Sequence, residues 1–119
     1  MRTLICIILV IFISSCKSDL ELSMERGIQL YEWNKIDESL LEFKFVVNQL
    51  WPKYRDGNLS TYEHRLLARA YYNLGVGFAK LEDWGNAEQH FAIAHDIVPE
   101  TEYRNALKKI SLKKNSQKN

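Results

Sequence analysis

The sequence has few of the residues from which catalytic and metal sites are built. Its 119 residues include two cysteines, three histidines, two prolines and five glycines, and they contain no glycine-rich phosphate loop. His90 and His95 are five positions apart, roughly 140° around a helix, so they do not form the i, i+4 pair that binds zinc. Because no nucleophile, base and oxyanion donor converge, we expect no catalytic residue, no metal and no enzymatic activity.

One long apolar run is present, and it lies at the start of the chain. Arg2 precedes ten apolar residues, 4–13, too few for a membrane span of about 20 residues but typical of a signal-peptide core. Residues 13–16, ISSC, resemble a bacterial lipobox, which implies that Cys16 is acylated and becomes the new N-terminus. We therefore expect a lipoprotein signal peptide at 1–15 and the lipidated Cys16 with a short tether at 16–19; an uncleaved anchor is the alternative.

This resemblance has consequences for charge, cysteine chemistry and location. Cleavage would remove Cys6, so no disulfide could form within the mature chain, and the formal net charge would fall from +1 to 0 because Arg2 is lost. A near-neutral, exported chain gives no reason to expect nucleic acid. Two or three acyl chains such as palmitate anchor a protein stably, so we expect a membrane-anchored protein of the cell envelope, on the periplasmic face or the cell surface, with no cofactor besides the covalent lipid.

The apolar residues of segment 68–101 are spaced for two packed helices. A first stripe falls at i, i+3, i+4 and i+7 and consists of Tyr71, Leu74, Gly75 and Phe78. A second stripe consists of Ala87, Phe91 and Ala94. Asp83 is the predicted N-cap of the second helix, and Pro99 is expected to end it.

In this spacing the segment resembles the tetratricopeptide repeat, a helix-turn-helix unit of about 34 residues. With Ala68 as the first position, the characteristic positions hold Tyr71, Leu74, Gly75, Phe78, Ala87, Phe91, Ala94 and Pro99, while Glu82 stands where glycine is usual. A weaker copy beginning at Leu20 matches at Gly27, Leu30, Phe43 and Val46 and departs at Arg26, Ser39 and Pro52.

The resemblance implies an all-α fold of about two repeats and a C-terminal capping helix. We expect the repeats at about 20–53 and 68–101, a closing helix at 102–114 with Thr101 as its cap, and a polar tail at 115–119, the helical domain spanning 20–114. Between the repeats, Asp56-Gly57 indicates a turn, and Ser60 with Glu63 resembles a capping box that starts a long third helix near Thr61.

Such repeats bind proteins in a concave groove lined by the first helix of each pair. The family's groove positions fall on Met24, Glu25, Ile28, Tyr31, Glu32, Arg69, Tyr72, Asn73, Val76 and Lys80. The resemblance therefore implies an adaptor or assembly factor that binds a protein partner in the envelope. Self-association is a further expectation, because fewer than three repeats rarely suffice for stability.

Two other interpretations stay open at this point. In the first, the protein is an accessory lipoprotein in which Trp33, Trp51, Tyr54 and Trp84 enclose a small hydrophobic molecule. The second concerns the C-terminal lysines, which belong either to a solvated tail or to a surface for anionic lipid or wall polymer; they are Lys108, Lys109, Lys113, Lys114 and Lys118.

Overall fold

The computed structural model describes residues 17–119, and this part of the chain is all-α, without a strand. Its five helices are α1 (Asp19–Glu32), α2 (Ile36–Arg55), α3 (Thr61–Lys80), α4 (Trp84–Ile97) and α5 (Thr101–Ser116). None of these helices combines the length and hydropathy that crossing a bilayer requires. The predicted signal peptide and Cys16 lie outside the described residues.

Side-chain caps fix the start of three helices. Ser60 Oγ accepts from the Glu63 N–H at 3.1 Å, and Asp83 Oδ1 accepts from the Asn86 N–H at 3.3 Å, which confirms both predicted caps. Ser18 caps α1 in the same way. The predicted cap of α5 is wrong by one residue: Glu100 occupies the N-cap without a side-chain bond, and Thr101 already lies in the helix.

The turns after α1 and α3 have the same backbone geometry. Asn34 and Glu82 adopt left-handed φ values of 61° and 60°. The next N–H in each turn bonds back to a carbonyl five residues earlier, from Lys35 to Leu30 at 2.8 Å and from Asp83 to Phe78 at 2.9 Å. A left-handed residue that closes a helix in this way is most often glycine, which explains why Glu82 stands out in the sequence.

Helix α2 is longer than the first copy of the repeat predicts. It continues through Pro52 to Arg55, so this proline does not end the helix. The connection to α3 begins at Asp56, where Gly57 adopts a φ of 73°, as the Asp-Gly turn signal predicts.

Helices pack mainly against their neighbours along the chain, so the structure contains two hairpins, α1–α2 and α3–α4, followed by α5. Gly27 lets α1 approach Phe43 of α2, and Gly75 lets α3 approach Phe91 of α4; a Cβ at either glycine would come within 2.4 or 2.6 Å of the ring. The two glycines, like the two phenylalanines, are 48 positions apart. The hairpins therefore repeat one packing contact.

Candidate binding groove

The site best formed for binding is a groove along α1, α3 and α5. Its cavities are contiguous, because neighbouring cavities share residues such as Ile28, Tyr31, Val76 and Arg69. Nine of the ten predicted groove residues line these cavities: Met24, Glu25, Ile28, Tyr31, Arg69, Tyr72, Asn73, Val76 and Lys80. Glu32 is exposed and lines none of them. The structure thus brings the nine together, and their role in binding stays a prediction.

At the amino-terminal end the groove forms a cavity of about 610 Å³ between α1 and α3. Its acidic residues already have partners: Lys17 pairs with Glu25, and the Tyr62 hydroxyl donates to Glu21. These bonds raise the pKa of Lys17 and of Tyr62. Arg65 and Arg69 line the same cavity and form no ion pair with another described residue, so their guanidinium groups can receive an anionic or carbonyl group.

The middle of the groove is apolar, with one polar exception. Ile28, Tyr31, Phe43 and Val76 surround a small cavity of about 130 Å³ together with Asn73. The Asn73 Nδ2 atom is buried and has no acceptor among the described residues. A buried donor without a partner costs about 1–3 kcal/mol, so Asn73 is an unfavourable feature of this otherwise apolar part of the groove.

At the carboxy-terminal end lies a cavity of about 370 Å³ between α3 and α5, which we name the lysine pocket. Three lysines, Lys80, Lys109 and Lys113, surround an apolar floor that includes Trp84. No Asp or Glu lines the pocket, and none of the three lysines pairs with a carboxylate elsewhere in residues 17–119.

The indole of Trp84 is held inside the lysine pocket with its polar group unused. Lys113 Nζ lies 4.8 Å from the ring centroid, which is a cation–π contact. The Trp84 Nε1 atom is buried and finds no acceptor in the described chain. The pocket therefore offers positive charge and apolar surface.

Helix α5 is fixed on the second hairpin by one polar and one aromatic contact. Glu88 of α4 accepts from Lys114 Nζ at 2.8 Å and from Ser111 Oγ at 2.9 Å, and these bonds lower the pKa of Glu88. Tyr72 stacks between Phe91 and Tyr103, with ring centroids 5.5 and 5.0 Å away. Burial raises the pKa of Tyr103 to about 12.

The contribution of α5 to the groove is missing from the predicted residue set. Ala106, Lys109, Ile110 and Lys113 all line the lysine pocket. A signal was present, since Tyr72 and Val76 advanced by one repeat length of 34 residues fall on Ala106 and Ile110. Treating α5 as the first helix of a further unit, and not only as a cap, would have found these two residues.

The aromatic residues of the alternative interpretation do not gather around one cavity. Trp33 is 60% exposed, and Trp51 packs on Tyr54 and Tyr71 away from the groove. Only Trp84 lines a groove cavity. No group of three or more His, Cys, Asp or Glu side chains that could hold a metal occurs among residues 17–119.

Comparisons with known proteins give no assignment. No protein-family model matches the chain, no curated protein is significantly similar to it, and no solved structure matches its fold. The function must therefore be argued from the groove itself.

Proposed function

We propose that this protein is a membrane-anchored lipoprotein of the bacterial envelope that binds a segment of a partner protein in the groove. In this role its tetratricopeptide-like domain acts as an adaptor or assembly factor. The observation that carries the proposal is the continuous groove along α1, α3 and α5, which has an apolar middle and charged side chains at both ends. An apolar floor with a few polar or charged side chains around it is typical of sites that bind an extended or helical peptide.

The lipid anchor rests on the lipobox-like residues 13–16 and on the position of α1. Only two residues, Lys17 and Ser18, separate Cys16 from the first residue of α1. Three peptide units span at most about 11 Å, so an acylated Cys16 would hold the domain directly at the membrane surface. A partner would then have to be membrane-associated or able to approach the lipid surface.

A crosslinking pull-down from native membranes tests the groove. The variant Ile28→Lys with Arg69→Glu changes two groove side chains outside the buried core, Ile28 being 37% exposed, and circular dichroism checks that the helices are retained. The matched control is Leu41→Lys with Arg55→Glu, which makes the same changes on exposed positions of α2 outside the groove. We expect a reproducible envelope partner to be lost from the groove variant and retained by the control.

Two results would count against the proposal. An identical set of partners with the groove variant and with the wild type would move the binding surface elsewhere.

For the anchor, Cys16→Ser should release the protein from the membrane fraction and abolish labelling by an alkyne fatty acid. Unchanged fractionation and labelling of Cys16→Ser would refute lipidation.

A further inference from the structure

The lysine pocket differs from the rest of the groove in its charge. At the amino-terminal end, Glu21 and Glu25 lie opposite Arg65 and Arg69, so both signs are present. In the lysine pocket Lys80 of α3 faces Lys109 and Lys113 of α5 without a single carboxylate in the lining. A ligand that crosses the groove therefore meets uncompensated positive charge at one end only.

We propose that the lysine pocket binds an acidic segment of the partner protein, in which Asp or Glu side chains flank an apolar anchor residue. This proposal rests on the proposed function and adds the chemistry and the direction of the bound chain. The acidic part of the ligand lies between α3 and α5, and the rest continues through the apolar middle toward Arg69.

Charge complementarity identifies the acidic component. Three lysines on two helices line one cavity that no Asp or Glu lines, and an anion in this cavity would offset the repulsion between like charges. Other lysines of α5 are used differently, since Lys114 is bonded to Glu88. Lys109 and Lys113 are the members of the C-terminal lysine series that line the groove, and neither forms an ion pair within residues 17–119.

The floor of the pocket identifies the apolar anchor. Val76, Ala79, Phe91 and Ile110 line the pocket together with Trp84 and the three lysines. An aliphatic or aromatic side chain fits such an apolar lining, while a neighbouring carboxylate can pair with a lysine. A free inorganic anion would leave the floor empty.

The shape of the site favours a peptide over a lipid surface. Lys80, Lys109 and Lys113 line a concavity between two helices. A bilayer presents a broad surface, and a helix that binds it carries its lysines along an outward face. A chain segment, in contrast, can lie in the concavity and continue along the groove.

The test uses a defined probe and the full-length protein in detergent. The probe is a fluorescein-labelled 12-residue peptide of glutamate and leucine, and its reference is the same peptide with glutamine in place of glutamate. Binding is measured by fluorescence anisotropy at low and high NaCl. We expect the glutamate peptide to bind at least about 10-fold more tightly at low salt, and the preference to shrink as salt screens the charges.

Two protein variants with equal net charge locate the binding. Lys109→Glu with Lys113→Glu reverses the pocket, whereas Arg104→Glu with Lys118→Glu makes the same charge change on or just beyond α5 outside the cavities. We expect the pocket variant to lose about 10-fold or more in affinity for the glutamate peptide and the control to lose little. Circular dichroism of both variants checks that the helices are retained.

Three results would overturn the proposal. Equal affinity for the two peptides would show that the pocket does not prefer acidic side chains. An equal loss of affinity in both protein variants would mean that the overall charge of the protein, and not the lysine pocket, attracts the peptide. Lysine-dependent binding to phosphatidylglycerol vesicles, with no peptide binding, would assign the pocket to lipid instead.

Failure of this proposal can be distinguished from failure of the proposed function. If the pull-down partner is lost from the Ile28→Lys, Arg69→Glu variant but kept by the Lys109→Glu, Lys113→Glu variant, the groove binds a partner that does not use the lysine pocket. If neither variant changes the partners, the proposed function itself is wrong.

Discussion

The two hairpins have the same geometry but different side chains at corresponding positions. Gly27 and Phe43 in the first hairpin make the contact that Gly75 and Phe91 make in the second, and Asn34 and Glu82 make equivalent turns. Close approach of the helices and a left-handed turn residue are therefore what the hairpin requires. Other positions are free to adapt to their surroundings.

A buried polar substitution shows how the first hairpin tolerates its departures. Ser39 occupies the position of Ala87, and both are fully buried. The Ser39 hydroxyl donates to the Gly27 carbonyl at 2.7 Å, so no polar group is left unsatisfied. The same space between helices is thus filled either by a methyl group or by a hydroxyl with a local acceptor.

Solvent exposure explains the other departure from the repeat pattern, which is arginine at position 26 in place of leucine. Leu74 is buried in the middle of the described array, whereas its counterpart Arg26 is largely exposed and lies 3.6 Å from Glu42. The Arg26 side chain is 62% exposed to solvent. Arg26 can therefore replace leucine without burying a charge.

The largest effect is expected from adding a methyl group at the two helix contacts. In Gly27→Ala and Gly75→Ala the new Cβ comes within 2.4 and 2.6 Å of a buried phenylalanine ring. Overpacking of this kind costs about 1–3 kcal/mol, more than the helix propensity of alanine returns. Urea unfolding of both variants measures the cost, and we expect Gly27→Ala to lose at least as much as Gly75→Ala, because Phe43 belongs to the main core.

Gly85→Ala is the matched control, because it lies in a helix and its Cβ meets nothing within 4 Å. It should be neutral or up to about 1 kcal/mol more stable. A Gly27→Ala, Phe43→Leu double variant should recover part of the loss, since the two residues share one contact. If Gly75→Ala behaved like Gly85→Ala, the two hairpins would not share the same packing constraint.

A smaller gain is expected at the turns. The left-handed φ of Glu82 is strained because its Cβ crowds the backbone, and glycine has no Cβ. Glu82→Gly should therefore stabilise the protein by about 0.5–1 kcal/mol. Asn34→Gly should change little, because asparagine tolerates this region better than glutamate. Thermal unfolding compares the two.

Gly57→Ala calibrates this comparison. Gly57 has a φ of 73° and open space around its Cβ position, so alanine there should lose stability through backbone strain alone. An equal gain from Glu82→Gly and Asn34→Gly would mean that the side chain at these turns is irrelevant.

The sequence predicted the helices better than the site, for physical reasons. Periodicity and local capping residues such as Ser60 and Asp83 act over a few positions, so they can be recognised without knowing the tertiary structure. Pro52 was misleading because a proline removes only its own N–H bond, and the helix continues past it to Arg55. The lysine pocket depends on how α5 docks on α4, and one of the contacts that fixes this docking, from Glu88 to Lys114, joins residues 26 positions apart.

The smallest effect concerns the contact by which each hairpin binds the next helix. Leu40 of α2 packs on Gly77 of α3, whereas Glu88, its counterpart 48 positions later, bonds to Ser111 and Lys114 of α5. The first contact is apolar and the second is ionic. Only the second should depend on pH.

The direction of this pH dependence follows from the lowered pKa of Glu88, which the bonds from Lys114 and Ser111 cause. The folded-state pKa of Glu88 lies below the ordinary carboxyl pKa. The stabilisation that the Glu88 carboxylate gives the folded state is therefore fully present above the ordinary carboxyl pKa, and it is lost as the pH falls through the folded-state pKa. Glu88→Gln should therefore cost under about 1 kcal/mol at pH 7, as partly exposed ion pairs do, and progressively less in acid. Urea unfolding from pH 7 into acid measures the difference in unfolding free energy between the wild type and Glu88→Gln. In a Lys114→Met background this difference should be smaller, because the ion pair is absent. A pH-independent cost would show that the Glu88 carboxylate contributes shape but not charge, and would remove the contrast with Leu40.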